Sequence, residues 1–170
     1  MLHVERGSLS DWTRIARLLE RCFFPRQQRG RRGRLRSPYL LMKRRGVVFL
    51  VARDAHMLRG VVAIRKIGRH RYLLDNAAID PVVRTKNWAL ILRIAEAVAD
   101  YLGTLEPKYT SVVLFASLTN PKMAKLLTRH LQKRGIGVSL IPVSMYWRER
   151  LRYSLQSHAA VLQLQMRAET

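Results

Sequence analysis

The sequence has a single cysteine, Cys22, so no disulfide can close within the chain and no cysteine-based metal site can form. Its five histidines, His3, His56, His70, His130 and His158, show no metal-ligand spacing; each reads as a surface residue, and no metal is expected. Carboxylates are scarce as well, with 11 Asp and Glu against 32 Lys and Arg and a net charge of +21. No apolar run approaches the roughly 20 residues that span a bilayer, and the opening MLHVERGSLSDW lacks the apolar core of a secretion signal. These absences predict a cytoplasmic protein, or one packaged from an intracellular pool.

An excess of positive charge this large goes beyond what solubility requires and predicts a polyanionic neighbour, either nucleic acid (DNA or RNA) or an acidic protein. A membrane surface is the weaker partner, because no polybasic run adjoins an apolar anchor. The charge is densest in PRQQRGRRGRLRSPYLLMKRR, which carries Arg26, Arg29, Arg31, Arg32, Arg34, Arg36, Lys43, Arg44 and Arg45. From Arg21 to Arg53 there is no carboxylate to neutralise them. Like charges so close repel, predicting a loop that turns into a short helix near Pro38. These nine residues are the candidate nucleic-acid contacts. Their binding would be electrostatic and indifferent to sequence, since nothing in the segment is shaped for the major groove.

With 170 residues, 48% of them hydrophobic, the chain is long and apolar enough for one folded domain over 1–150, the Arg-rich segment 26–45 being an insertion within it. Leu2 to Glu5 form a first strand, and Ser10 or Asp11 cap a helix with Trp12, Ile15, Ala16, Leu18, Leu19 and Cys22 on one face, ended by Phe23-Phe24-Pro25. Val47 to Ala52 and Gly60 to Ile67 read as a hairpin. Ser111 to Ser117 is a further strand. Asn120-Pro121 then opens a helix with Met123, Leu126, Leu127 and Leu131 on one face, ending at Gly135. Val138 to Val143 and Met145 to Trp147 are the last strand candidates. In the tail, 151–170, Leu151, Leu155, Ala159, Leu162 and Met166 recur near every fourth residue, which predicts an amphipathic helix able to pack on the domain or mediate self-association. Trp12, Trp88 and Trp147 fall on apolar faces and read as core.

The chain is organised around Tyr72 to Gly103. Leu73, Leu74, Ala77, Ala78 and Ile79 make an apolar strand that stops at Asp80-Pro81. From Trp88 onward Ile91, Leu92, Ala95, Val98, Ala99 and Leu102 recur at helical spacing, with Thr85 as N-cap and Gly103 placed to end the helix. Between them lies Arg84-Thr85-Lys86-Asn87-Trp88-Ala89. A helix start leaves backbone N–H groups unpaired and partly positive, so such a connection attracts phosphate, and Arg84 and Lys86 add full charges beside it.

This strand, the pattern D-P-x-x-R-x-x-N-x-A and the long helix after it resemble the acetyl-CoA-binding motif of the GNAT superfamily of N-acetyltransferases, R/Q-x-x-G-x-G/A. Arg84 and Ala89 match, and Asn87 stands where the motif has its first glycine. The order of elements over residues 1 to 150 resembles the family too. The resemblance implies an α/β (α+β) fold with a mixed, mostly antiparallel central sheet flanked by helices. It also implies acetyl-CoA as cofactor. Its pyrophosphate would lie on Arg84, Thr85, Lys86, Asn87, Trp88 and Ala89, and its pantetheine arm along the strand at Ala78 and Ile79, with Asn120 at the start of a later helix also on the cofactor.

Acetylation of an amine needs a base for the ammonium proton and an acid for the departing thiolate. Asp75 falls on the strand near where the family places an acidic residue facing the acceptor, and is the candidate base. The helix that begins at Asn120 has Leu127 and Leu131 where the family often carries a tyrosine, so activity is expected to be weak or degenerate; Tyr146 or water could substitute. The alternative is a non-catalytic GNAT-fold scaffold that uses its basic surface in a nucleoprotein assembly, as in tailed-phage virions.

Overall fold

A computed structural model of the chain describes residues 2–23, 47–55, 57–84, 88–107, 110–116, 121–152 and 160–166. In chain order these form β1 (Leu2–Arg6), a 3-10 turn (Leu9–Asp11), α1 (Trp12–Phe23), β2 (Val47–Asp54), β3 (Met57–Gly68), β4 (Arg71–Ile79) and the short α2 (Pro81–Arg84). Then follow α3 (Trp88–Leu105), β5 (Ser111–Ala116), α4 (Pro121–Lys133), β6 (Gly137–Pro142), a second 3-10 turn (Val143–Tyr146), α5 (Trp147–Arg152) and β7 (Ala160–Gln165). The architecture is mixed α/β with mostly antiparallel strands, as expected. The chain falls into two compact units, Met1–Arg65 with Asp75–Val98, and Lys66–Leu74 with Ala99–Thr170. Strands β3 and β4 and helix α3 contribute residues to both.

In the first unit β1 pairs antiparallel with β2, and β2 with β3 in the expected hairpin, Phe49 opposite Ala63 and Val51 opposite Val61. Spacing of three and four residues brings Ile15, Leu18 and Leu19 of α1 to one side, where they bury against Phe49, Val51, Val61, Ala63 and Ala78. Trp12 begins the same helix but is 42% exposed. Two carboxylates fasten the unit. Asp11 accepts from Arg53 Nη2 at 2.6 Å and from the Ser8 backbone N–H at 2.9 Å, so the 3-10 turn is tied to β2. Asp80 is 1% exposed, lies 3.3 Å from Arg59 Nη1 and 3.8 Å from Arg21 Nη2, and accepts the Val82 N–H. Strand β4 thus stops at Ile79 as expected, and Pro81, which has no N–H to lose, opens α2.

In the second unit the strand order is β4, β5, β7, β6. Arg71, Tyr72 and Leu73 pair in parallel with Val113, Leu114 and Phe115, and β7 runs antiparallel to both β5 and β6. The tail is therefore not an amphipathic helix: α5 ends at Arg152, and Ala160–Gln165 is an interior strand. Leu162 lies between Leu114 and Leu140 in register, and Leu164 between Val112 and Val138. A four-residue spacing satisfies both the helical period and the strand period of two, so the pattern alone could not separate them. Two ladders and the burial of Val161, Leu162 and Leu164 outweigh a one-sided helix, and with the helix goes the basis for self-association through it. Because β7 takes the place beside β6, Met145 to Trp147 form no strand but continue from a 3-10 turn into α5, leaving Met145 70% and Trp147 58% exposed.

Helix α4 ends at Lys133 before Gly135 at φ +77°, close to expectation. Leu126 of that helix is exposed, while Ala124, Leu127 and Leu131 are buried. Gly103 does not end α3, which continues to Leu105 before Glu106 and Pro107. A side chain at Gly103 would meet Met166 Cε at 3.3 Å, so the glycine serves close packing rather than termination. Just past this helix the Glu106 side chain is 2% exposed, accepts from the buried Tyr72 hydroxyl at 2.5 Å and from His70 Nδ1, and has Lys66 Nζ at 3.9 Å. His70 is thus a partner of a buried acid and not a plain surface histidine.

Burial on its own would push the Glu106 carboxyl up, but the bonds from Tyr72 and His70 and the charges of His70 and Lys66 hold it below the ordinary glutamate value of 4.5. Asp11 behaves likewise: burial raises it, and the Ser8 and Arg53 bonds bring it below 3.8. A depressed folded value means stability that is present above the unfolded value and lost as pH falls through the folded one. Denaturant unfolding should therefore show stability declining below pH about 4.5. Glu106→Gln should be less stable at neutral pH by roughly 1.5–3 kcal/mol and should flatten that decline. Leu164→Ala should destabilise by roughly 2–5 kcal/mol; a cost near zero by the same measurement would refute β7 as an interior strand.

Candidate cofactor and catalytic site

The connection singled out by its sequence runs from β4 through α2 into α3, and the stretch Asp75–Val98 belongs to the first unit. Asp75, Ala78 and Ile79 lie on β4 beyond the three residues that pair with β5. Ala78 is buried in the core, and the Ile79 carbonyl accepts the Cys22 thiol at 3.2 Å. Arg84 is the last residue of α2. Thr85, Lys86 and Asn87 lie outside the described residues, as do Asn120 and all nine basic residues of 26–45. Trp88 and Ala89 form the first turn of the 18-residue α3, and both face solvent, Trp88 at 50% exposure. All three tryptophans are thus substantially exposed, against the expectation that they form core. Each sits at the first position of its helix.

The first turn of α3 contains no acidic residue. Helices favour carboxylates there because the unpaired N–H groups are partly positive. With no acid in that turn, the small Ala89 exposed, and the cationic Arg84 and Lys86 nearby in sequence, the turn carries no negative charge of its own that would repel an anion. That setting fits a pyrophosphate.

Asp75 is half-buried, with Arg65 Nη2 of β3 at 3.6 Å. It is an ion-paired strand carboxylate, and an acceptor amine would have to share it with the guanidinium. Leu127 and Leu131 of α4 are both buried, so that helix offers no acid at those positions. Tyr146, the substitute considered, packs edge-on against Phe115 at 5.2 Å between ring centroids with Arg71 over its face at 5.9 Å, all in the second unit. The buried clusters around Asp80 and Glu106 escaped the sequence reading. Their only signal was a lone acid at the end of an apolar element.

No family model and no curated protein matches the sequence. Solved structures do match. The N-acetylglutamate synthase of Neisseria gonorrhoeae, complexed with coenzyme A and N-acetyl-glutamate, aligns with TM-score 0.64 and 12% identity over 99% of this chain. This chain spans only 36% of that synthase. The ribosomal-protein-S18-alanine N-acetyltransferase of Escherichia coli aligns with TM-score 0.56 and 12% identity over all of this chain and 97% of its own. A GNAT acetyltransferase from Brucella melitensis in complex with acetyl-CoA aligns with TM-score 0.52 and 16% identity over 73% of this chain and 81% of its own. The chain has the GNAT acetyltransferase fold. At such identities the likeness is one of backbone arrangement.

Proposed function

We propose that this GNAT-fold chain is a slow N-acetyltransferase that moves the acetyl group of acetyl-CoA to an amine acceptor. The observation that supports this most directly is the acid-free first turn of α3, with Trp88 and Ala89 exposed, which follows β4 and Arg84 along a chain of GNAT fold. In this reading the backbone of Arg84 to Ala89 holds the pyrophosphate, and β4 at Ala78 and Ile79 takes the pantetheine arm. Bound acetyl-CoA supplies the thioester. Asp75 takes the proton of the acceptor ammonium, and the free amine attacks the carbonyl as the carbon–sulfur bond breaks. No protein acid is assigned to the leaving thiolate in this reading, which makes turnover slow.

A second reading has an observation of its own. The Asp75–Arg65 ion pair and the buried Leu127 and Leu131 favour a domain that keeps the fold as a scaffold and binds polyanions through its basic residues, those of 26–45 first among them. Titration calorimetry with acetyl-CoA separates the two, since only the first requires binding. On the first, heat of binding is expected for the native chain and none for Ala89→Trp, whose indole would occupy the place of the pyrophosphate. Equal affinity in the two proteins would remove the proposed site. Release of free CoA thiol with a panel of primary amines should fall by about 10²- to 10⁴-fold in Asp75→Asn. Turnover indifferent to that change would eliminate Asp75 as the base.

A further inference from the structure

The positive charge of this chain is not confined to residues 26–45: without those nine, 23 basic residues still face 11 acidic ones. Between Glu106 and Glu149 the chain has no carboxylate at all, a second acid-free stretch, and it contains α4. At 100° per residue, Lys122, Lys125, Arg129 and Lys133 fall within an arc of about 80°. That arc lies opposite Ala124, Leu127 and Leu131, which bury α4 in its unit. All four cations are exposed. Arg134, one residue further on, is taken up by Asp100 at 3.7 Å, whereas Lys125, Arg129 and Lys133 have no ion pair among the described residues. The helix thus carries a straight rail of four cations along about 16 Å of its axis.

We infer that the outer face of α4 is a binding surface for the phosphodiester backbone of duplex DNA. Four positive charges repel one another on one helix face, and Lys125, Arg129 and Lys133 have no counter-charge among the described residues; an array of phosphates supplies one and releases its own condensed counterions. Duplex is favoured over single strand because α4 has no Phe, Tyr or Trp on which an unpaired base could stack, and its one imidazole, His130, is half-buried and lies off the rail. DNA is favoured over RNA because the rail consists of cations, which read phosphate, and offers little that would recognise a 2′-hydroxyl. The surface is rigid, since its opposite face is core, and it serves positioning rather than base reading. This inference stands whether or not acetyl transfer occurs.

The test is affinity for a random-sequence DNA duplex across a salt series, using the full chain and the variant Lys122→Ser, Lys125→Ser, Arg129→Ser, Lys133→Ser. A control replaces Arg6, Arg14, Arg17 and Arg148, exposed on other elements, with serine, so that both variants lose the same charge. Circular dichroism and thermal unfolding check that each remains folded, and Lys125→Glu with Arg129→Glu provides a smaller second variant. The rail variant should reduce the logarithmic salt slope by about 0.9 for each phosphate no longer neutralised and weaken binding at ~0.1 M salt by at least about 100-fold. The control should change binding far less. Unchanged affinity in the rail variant would overturn the inference, and so would equal losses in rail variant and control, which would reduce the effect to bulk charge. Tighter binding of the same sequence as a single strand or as duplex RNA would overturn the assignment to duplex DNA.

Discussion

Buried carboxylates are the constraint on which this structure rests. Among the described residues the buried polar side chains are Asp11, Asp80 and Glu106, all acids. Taking a carboxylate out of water costs several kcal/mol unless cations and hydrogen-bond donors surround it. Each of the three is so surrounded: Asp11 by Arg53 and Ser8, Asp80 by Arg59 and Arg21, Glu106 by His70, Tyr72 and Lys66. Each also joins elements distant in sequence, so the acids fix the placement of strands that apolar contact alone would leave adjustable.

In an acid-poor chain this use of carboxylates has a consequence for the outside. Other acids are engaged nearer the surface, Glu5 with Arg53, Asp75 with Arg65, Asp100 with Arg134 and Glu149 with Arg71. Few remain to neutralise the rest of the 32 basic residues. The first turn of α3 and the outer face of α4 are where this shows most clearly, since neither has an acid of its own. Both are left without negative charge by the same scarcity.

The candidate site was legible in part. The β4–α3 connection could be located because its residues are local: an apolar run, Asp80-Pro81, and an amphipathic helix leave few other conformations. Asp75 could be placed on its strand but not paired with Arg65, because a cross-strand partner depends on register. The exposed tryptophans were misread since periodicity assigns a face to a residue but not the extent of the layer that face meets. Glu106 and His70 were missed for the reason that 36 residues separate them, and only the fold brings them together.

What the sequence by itself determined is whatever is set within a few residues or by composition: the strand stop before Pro81, the helical periodicity from Trp88 onward, the β2–β3 hairpin, the net charge and the absence of a cysteine partner. Tertiary structure decided the tail. Residues 160–165 satisfy helical and strand spacing alike, and the choice was made by two open strand edges, on β5 and β6, that a strand could pair and a helix could not. Backbone groups in a sheet interior must find partners, and that requirement, invisible in any local pattern, turned the end of the chain into an interior strand of the second unit.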